Sequence, residues 1–200
     1  MNTLYSEMEW TIPIQNLDIS KVKITGPNRI QKPMAALSYT DSDLQFSSLS
    51  LLLPTLPVKA YDTETGRLSL SLHGFQGLLN KLNALQTLMI NTTHSNYRAW
   101  FSGERDRSHD ELVAGFQPLI SHGCIHLYCP QSTLGSFNEI QIYSGGAWTR
   151  GAISPGLFSA GKQVRAAIRL QGISFHQHHI SRVWTGKSRV QHRILTIFTE

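Results

Sequence analysis

The feature that most limits the fold is an alternating stretch near the C-terminus. From Lys162 to Leu170 the chain runs K-Q-V-R-A-A-I-R-L, with an apolar residue at every second position from Val164 onward. Side chains of an extended strand point alternately to its two faces, so Arg165 and Arg169 share the face opposite these apolar residues. The stretch therefore predicts a half-buried β-strand that displays two arginines.

Further strand patterns occur on both sides of this segment. Asp41-Ser42-Asp43 predicts a turn between two strand-like runs within Ala35 to Val58, and Arg67 to His73 alternates leucine with serine. Gly172 predicts a bulge of the kind that small closed barrels need at their corners. The strands predicted after Pro118 are Leu119 to Cys129, Glu139 to Tyr143, Ala147 to Arg150, Gln163 to Phe175, and Arg189 to Phe198.

Two segments have helical patterns. Apolar residues at spacings of three, four and seven predict a helix from Gly74 to Ile90. Ser108 and Glu111 form a capping-box pattern, which predicts a short helix from His109 to Phe116. The polar segment between the two helices, around residues 97–107, is predicted to be a loop.

Together these elements predict a mainly β member of the α+β class. We expect a small antiparallel barrel with one long and one short helical insertion. A length of 200 residues fits one domain, 1–200. Residues 1–34 are expected to form an N-terminal arm or short strands, and residues 35–200 the core of the domain.

The charge of the chain is concentrated near its C-terminus. The whole sequence has 18 Lys+Arg and 13 Asp+Glu, a formal charge of +5. Residues 148–200 contain eight of these basic residues and one acid, Glu200, which gives that quarter a charge of +7, whereas the 10 basic and 12 acidic residues before it give −2. Such an asymmetry is typical of a face that binds a polyanion.

Catalytic motifs are incomplete throughout the chain. The run from Gly156 to Lys162 fits G-x-x-x-x-G-K, but Gln163 replaces the Ser or Thr of a phosphate-binding loop, and a strand pattern follows where a helix is required. The basic quarter has too few carboxylates for a two-metal nuclease. We therefore expect a protein that is not an enzyme and needs no cofactor.

Two histidine-containing segments leave metal binding open. The first contains His122, Cys124, His126 and Cys129, and the second is the run from His176 to His179. Neither has the spacing of a common zinc site. The favoured interpretation is an ordinary strand with Ile125 and Leu127 facing the core, and a polar loop, respectively.

Targeting signals are also missing from the sequence pattern. Residues 1–20 lack the apolar core of a signal peptide, and no apolar run approaches the roughly 20 residues of a membrane span. Two cysteines fit a reducing compartment. We expect an intracellular, soluble protein with no membrane partner.

Basic residues are interleaved with aromatic residues in the C-terminal half of the chain, from Tyr143 to Arg193. Cations can neutralise phosphates while flat rings stack on unpaired bases, so this composition predicts a surface for single-stranded nucleic acid. Phe158 and Phe175 are equally well explained as core residues. The predicted binding residues are Trp148, Arg150, Lys162, Arg165, Arg169, Arg182, Trp184, Lys187, Arg189 and Arg193.

Five sequence motifs carry a resemblance to a known family. They are Y-T-D-S-D-L-Q-F from Tyr39, Y-D-T-E-T-G-R-L-S-L-S-L from Tyr61, I-S-P-G from Ile153, V-R-A-A-I-R-L-Q-G-I-S-F from Val164, and W-T-G-K-S-R-V-Q-H-R-I from Trp184. The chain resembles the single-stranded-DNA-binding proteins of large cytoplasmic DNA viruses, the asfarvirus and iridovirus-like group. The motifs span most of the chain from Tyr39 to Phe198.

The resemblance implies an OB-fold core that binds single strands without sequence preference during viral DNA replication, repair or recombination. It implies a location in the host cytoplasm or at a viral replication site, the nucleus included. Single-stranded DNA is the expected partner, with self-association along the strand and viral replication proteins as further candidates. The alternative hypothesis is a structural or matrix-type viral protein whose basic face binds nucleocapsid or a membrane surface.

Overall fold

The structure, a computed structural model, describes residues 11–27, 33–42, 44–129, 140–150, 155–181 and 183–199. It is mainly β, with 47% of residues in strands and 24% in helices, which confirms the predicted class. The strands are β1 Ile12–Pro13, β2 Val22–Ile24, β3 Met34–Asp41, β4 Leu44–Phe46, β5 Leu49–Leu52, β6 Leu56–Asp62, β7 Arg67–Ser71, β8 Phe116–Gln117, β9 Ile120–Ser121, β10 Cys124–Tyr128, β11 Gln141–Ser144, β12 Ala147–Arg150, β13 Gln163–Gln177 and β14 Trp184–Thr199. The α-helices are α1 Gln76–Ser95, α2 Tyr97–Trp100 and α3 His109–Gly115.

The long antiparallel pair β13–β14 is the centre of the sheet. The principal strand order is β12-β11-β14-β13-β6-β7-β10-β9, and β13 also pairs with β5 and β3. Short β8 runs parallel to β14 on the side opposite β13. Among the described strands the backbone pairings form an open path that ends at β12 and β9, so the pairings do not include closure into a barrel.

The predicted alternation of β13 is confirmed. Val164, Ile168 and Leu170 are fully buried, while Arg165 lies on the opposite, solvent-facing side of the strand. A register shift between Leu170 and Gly172 confirms the predicted bulge. The strand continues to Gln177, two residues beyond its predicted end, and β14 begins five residues before its predicted start.

Helix α1 covers the core with the face that its spacing predicted. Leu78, Leu82, Leu85 and Met89 are buried. The helix extends five residues beyond the predicted end, to Ser95. In this extension Thr93 is buried, and its hydroxyl donates a hydrogen bond to the Met89 carbonyl at 2.9 Å, which satisfies the buried polar group.

Two turn and cap predictions are confirmed. Strands β3 and β4 pair antiparallel through Asp41 and Leu44, with Ser42 in the turn at a φ of 52°. The capping box of α3 is complete: the Ser108 hydroxyl accepts from the Glu111 amide, and the Glu111 carboxylate accepts from the Ser108 amide. Both local motifs therefore fold as their residue types predict.

Two predictions about local structure are wrong. The predicted strand from Leu119 to Cys129 is the hairpin β9–β10, because His122 and Gly123 both adopt positive φ and reverse the chain. The predicted loop after α1 contains α2, whose Tyr97 and Trp100 are buried.

The N-terminal prediction of short strands is confirmed for β1 and β2, which are joined by two single 3₁₀ turns, Ile14–Asn16 and Ile19–Lys21. Residues 1–10 and 28–32 of the predicted arm lie outside the described residues, as does Glu139 of the predicted strand Glu139 to Tyr143.

Candidate nucleic-acid interface

Three arginines of β13 and β14 share one face of the sheet. Arg169 lies directly opposite Arg193 across the antiparallel pair, and Arg165 lies opposite Phe198. Residues directly opposite each other in such a pair project to the same side. Arg165 and Arg169 are four positions apart on β13, so Arg165, Arg169 and Arg193 project together.

Aromatic rings gather at one end of this face. Tyr143 of β11 pairs with Phe198 of β14, and Trp148 of β12 pairs with Tyr143. The Trp148 ring lies 5.0 Å from the Tyr143 ring and 5.7 Å from the Phe198 ring, measured between centroids. Trp148 remains 49% exposed, so its indole is supported by two rings and open to solvent.

The same face continues past the bulge to the other end of β14. Arg189 lies opposite Ser174, and Gln191 lies opposite Gly172. Eleven residue steps separate Lys187 from Phe198, about 35 Å along an extended strand. We name this surface the basic–aromatic strip; it consists of Tyr143, Trp148, Arg165, Arg169, Lys187, Arg189, Arg193 and Phe198.

The cations of the strip differ in exposure. Arg165, Lys187 and Arg189 are exposed. Arg169 is half-buried, and its Nε lies 3.3 Å from the Ser50 hydroxyl. Elsewhere in the chain, ion pairs join Lys21 to Asp41, Arg98 to Asp106, and Arg105 to Glu111.

The prediction that Trp184 is an accessible stacking residue is wrong. Its side chain is 1% exposed and stacks on Phe101 at a centroid distance of 4.5 Å. Its Nε1 donates a hydrogen bond to the Lys187 carbonyl at 2.7 Å, and the Arg107 guanidinium lies 5.4 Å from its ring. Trp184 is buried because the segment after α1, predicted to be a loop, folds over it.

The remaining predicted site residues lie outside the strip or outside the described part. Lys162 precedes β13, and its ammonium donates to the Gly156 carbonyl at 3.0 Å. Arg150 occupies the position opposite Gln141 on β12, but its side chain is not described, and Arg182 is outside the described residues. The strip thus brings together these predicted residues: Trp148, Arg165, Arg169, Lys187, Arg189 and Arg193.

Phe198 joins the site without having been predicted. It directly follows Ile197, and an apolar pair at the end of a strand is typical of core packing. Its half-buried position beside Trp148 follows from the pairing of β14 with β11. Phe158 and Phe175, for which the sequence left open a stacking or a core role, are both buried in the core.

The histidine and cysteine segment does not converge on a metal site. His122 is in the β9–β10 turn, while both His126 nitrogens lie within 3.0 Å of hydroxyls, those of Ser69 and Ser121. Among the residues that the structure describes, no group of three or more His, Cys, Asp or Glu is arranged to hold a metal. Burial raises the pKa of the Cys129 thiol to about 12, which keeps it protonated at neutral pH.

Ile125 and Leu127 are fully buried, as the favoured interpretation of this strand predicted. The segment from Gly156 to Lys162 leads into β13, so a strand follows the glycine-rich run, as its sequence predicted. It lacks the helix start that a phosphate-binding loop requires.

No protein-family model, curated protein or solved structure matches this chain. The resemblance to viral single-stranded-DNA-binding proteins therefore stays a prediction from sequence motifs. Within the described residues, every helix is too short or too polar to cross a membrane.

Proposed function

We propose that this protein binds single-stranded DNA without sequence preference along the basic–aromatic strip. The observation that carries the proposal is the continuity of the strip: a row of cations lies on one face of β13 and β14, and the exposed, ring-supported Trp148 of β12 adjoins it through β11. A polynucleotide has the matching chemistry, because phosphates and bases alternate along it.

The cations and the rings have separate roles. Arginine and lysine neutralise phosphates and release counterions, which supplies affinity that does not depend on sequence. The Trp148 indole stacks on an unpaired base, which contributes about 1 to 3 kcal/mol and tolerates any base. Arg165 lies opposite Phe198 and therefore beside the aromatic end, where it can contact the phosphate next to a stacked base.

Closure into an OB-like barrel is part of the proposal. Two features support it. The β13–β14 pair has register shifts that bend it, including the one at Gly172. In addition, the Tyr128 backbone N–H donates a hydrogen bond to His192 Nε2 at 3.1 Å, which brings β10 against β14. The setting in viral DNA replication, repair or recombination rests on the motif resemblance alone.

A fluorescence titration with oligo(dT) and with a matched duplex tests this function. We expect oligo(dT) to quench tryptophan emission and to bind more tightly than the duplex, whose base faces are already stacked. Trp10 lies outside the described residues, so the signal is best assigned in a Trp10→Phe background. There Trp148→Phe should remove most of the quenching, because Trp100 and Trp184 are buried. Trp148→Ala should weaken binding about 5- to 150-fold, which corresponds to the loss of one stacked base.

Labelled oligo(dT) followed by fluorescence anisotropy gives the affinity independently of the tryptophan signal. Equal affinity for oligo(dT) and duplex would contradict the proposal. Binding to anionic vesicles without any response to oligo(dT) would instead favour the structural or matrix-type role, and tighter binding to oligo(U) would favour RNA.

A further inference from the structure

Two adjoining cavities lie at the Lys187 end of the strip. The larger has a volume of about 630 Å³ and the smaller about 450 Å³. Both are lined by Gln117, Arg189 and Gln191. Arg189 and Gln117 are partners in the parallel pairing of β14 with β8, so the two cavities adjoin at this pair, and we treat them as one groove.

The larger cavity combines an apolar wall with a polar one. Pro33, Ala114 and Phe116 contribute to the apolar part of the lining. The polar part includes Lys187, Arg189 and Ser174, together with the amides of Gln117 and Gln191. Its volume is within the range of small-molecule sites, about 300 to 1,000 Å³.

The charge of the groove is positive. The lining of the smaller cavity adds Arg67, His126 and His192, and the described residues that line the two cavities include no carboxylate. Burial lowers the pKa of His192 to about 4, and burial followed by the nearby Arg67 lowers that of His126, so neither ring carries charge at neutral pH. Among the described lining residues, the permanent charges are therefore those of Arg67, Arg189 and Lys187, which favour an anion.

The central arginine is held in place. The Gln191 amide lies 2.8 Å from the Ser174 hydroxyl. With its oxygen turned toward the guanidinium, it accepts hydrogen bonds from Arg189 Nε and Nη2 at 3.0 and 3.2 Å. Where α3 approaches β14, a methyl group on Gly115 would lie 2.0 Å from the Gly186 carbonyl oxygen, so the wall of the larger cavity is closely packed.

We propose that the larger cavity binds one nucleoside monophosphate unit, with the phosphate at Arg189 and Lys187 and the base against the apolar wall near Phe116. This rests on the proposed function, because Lys187 and Arg189 belong to the strip and a strand bound there leads into the groove. The shared chemistry is a phosphate next to a planar base, supplied by a free nucleotide or by the end of a strand.

Equilibrium binding of dTMP to the full chain tests the proposal. We expect saturable binding, at least tenfold weaker for thymidine, which lacks the phosphate. Ala114→Trp fills the cavity without changing any charge and should weaken dTMP binding at least tenfold. Val113→Trp is the matched control: Val113 is the neighbouring exposed residue of α3 and does not line the cavity, so dTMP binding should be unchanged.

Arg189→Ala gives a second, independent variant and should also weaken dTMP binding at least tenfold. Comparing oligo(dT) with and without a 5′-phosphate or 3′-phosphate shows whether the ligand of the cavity is a free nucleotide or the end of a strand. If oligo(dT) with one phosphorylated end binds more tightly than unphosphorylated oligo(dT), and Ala114→Trp abolishes this preference, the cavity binds the end of a strand. If phosphorylated and unphosphorylated oligo(dT) bind equally well while dTMP still binds, the cavity binds a free nucleotide.

The outcomes separate this inference from the proposed function. If oligo(dT) binds but dTMP does not, or if dTMP binding survives both Ala114→Trp and Arg189→Ala, the groove proposal is overturned while the strip stands. If dTMP binds and responds to both variants but oligo(dT) does not bind, the groove stands and the proposed function fails.

Discussion

Trp184 holds the start of β14 against the segment that follows α1. Its backbone N–H donates to the Glu104 carboxylate at 3.1 Å, and its ring packs on Phe101 and Phe175. Arg107 adds a cation–π contact and a hydrogen bond to the Trp184 carbonyl at 3.1 Å. These contacts give Trp184 a structural role, whereas Trp148 is the exposed tryptophan among those in the described part of the chain.

Substituting Trp184 should therefore affect mainly stability, and substituting Trp148 mainly DNA affinity. Trp184→Ala removes a buried ring and should lower the free energy of unfolding by about 3 to 5 kcal/mol. Trp148→Ala, at a half-exposed position, should cost about 1 kcal/mol and act mainly on DNA affinity. Urea denaturation followed by circular dichroism measures both. An equal loss of stability in the two variants would contradict the assigned roles.

His192 should make stability depend on pH. Burial lowers its folded-state pKa to about 4, from an ordinary value near 6.5. Below pH 6.5 the unfolded chain takes up a proton that the folded chain does not, so stability is present above this pH and is lost as pH falls toward 4. The total loss should be about 3 kcal/mol, because each unit of pKa is worth about 1.4 kcal/mol.

His192→Gln is the control for this effect, since its side-chain oxygen can still accept from the Tyr128 N–H. Urea unfolding of both proteins from pH 7 to pH 4 should show a shallower decline in the variant. Parallel declines would mean that His192 is not the responsible group.

Local sequence could not distinguish the two tryptophans. Both lie within three residues of a glycine and of a basic residue. Burial of Trp184 is decided by Tyr97 and Phe101, about 85 residues earlier in the chain, which fold onto it through α2. Contacts of this length leave no periodic signal. The predicted accessibility is therefore confirmed for Trp148 and wrong for Trp184, while stacking of a base on Trp148 stays a prediction.

At the scale of elements, sequence patterns correctly predicted the structures that depend only on neighbouring residues. The alternation in β13, the apolar spacing of α1 and the capping box of α3 each determine a structure within a few residues. The β9–β10 hairpin was missed because His122 adopts positive φ, which is uncommon for a residue with a side chain. The strand pairings that assemble the strip depend on register between distant strands and could not be predicted from pattern.

A substitution at Gly172 tests the bulge at which β13 passes from pairing with β5 to pairing with β3. A Cβ at this position would lie 2.1 Å from the Ala35 carbonyl oxygen of β3. Gly172→Ala should therefore lower the free energy of unfolding by about 1 to 3 kcal/mol, because the two backbones must move apart. Gly77→Ala is the matched control: it lies in α1 with nothing within 4 Å of its Cβ, and should add about 0.5 to 1 kcal/mol. Thermal or urea unfolding measures both, and an unchanged stability in Gly172→Ala would contradict the close approach.

On the scale of the whole molecule, charge is divided between two regions. Acidic residues occur mainly before residue 147, where they form the described ion pairs, and the strip lies in the +7 quarter and the strands that pair with it. Composition alone predicted which quarter of the chain is basic. Composition could not predict that six of the predicted binding residues share one face. That arrangement depends on the pairing of β14 with β13 and β11, and of β11 with β12.

The salt dependence of oligo(dT) binding tests the central claim most directly. Arg165→Gln/Arg169→Gln removes two charges from the strip while keeping a hydrogen-bonding group near Ser50. Arg98→Gln/Arg105→Gln removes two exposed charges outside the strip. If the strip contacts phosphates, the slope of log K against log salt should become less steep by about 1.4 in the first variant, since each single-strand contact contributes about 0.7, and should not change in the second. An equal slope in wild type and in both variants would contradict the claim that these arginines bind a nucleic-acid backbone.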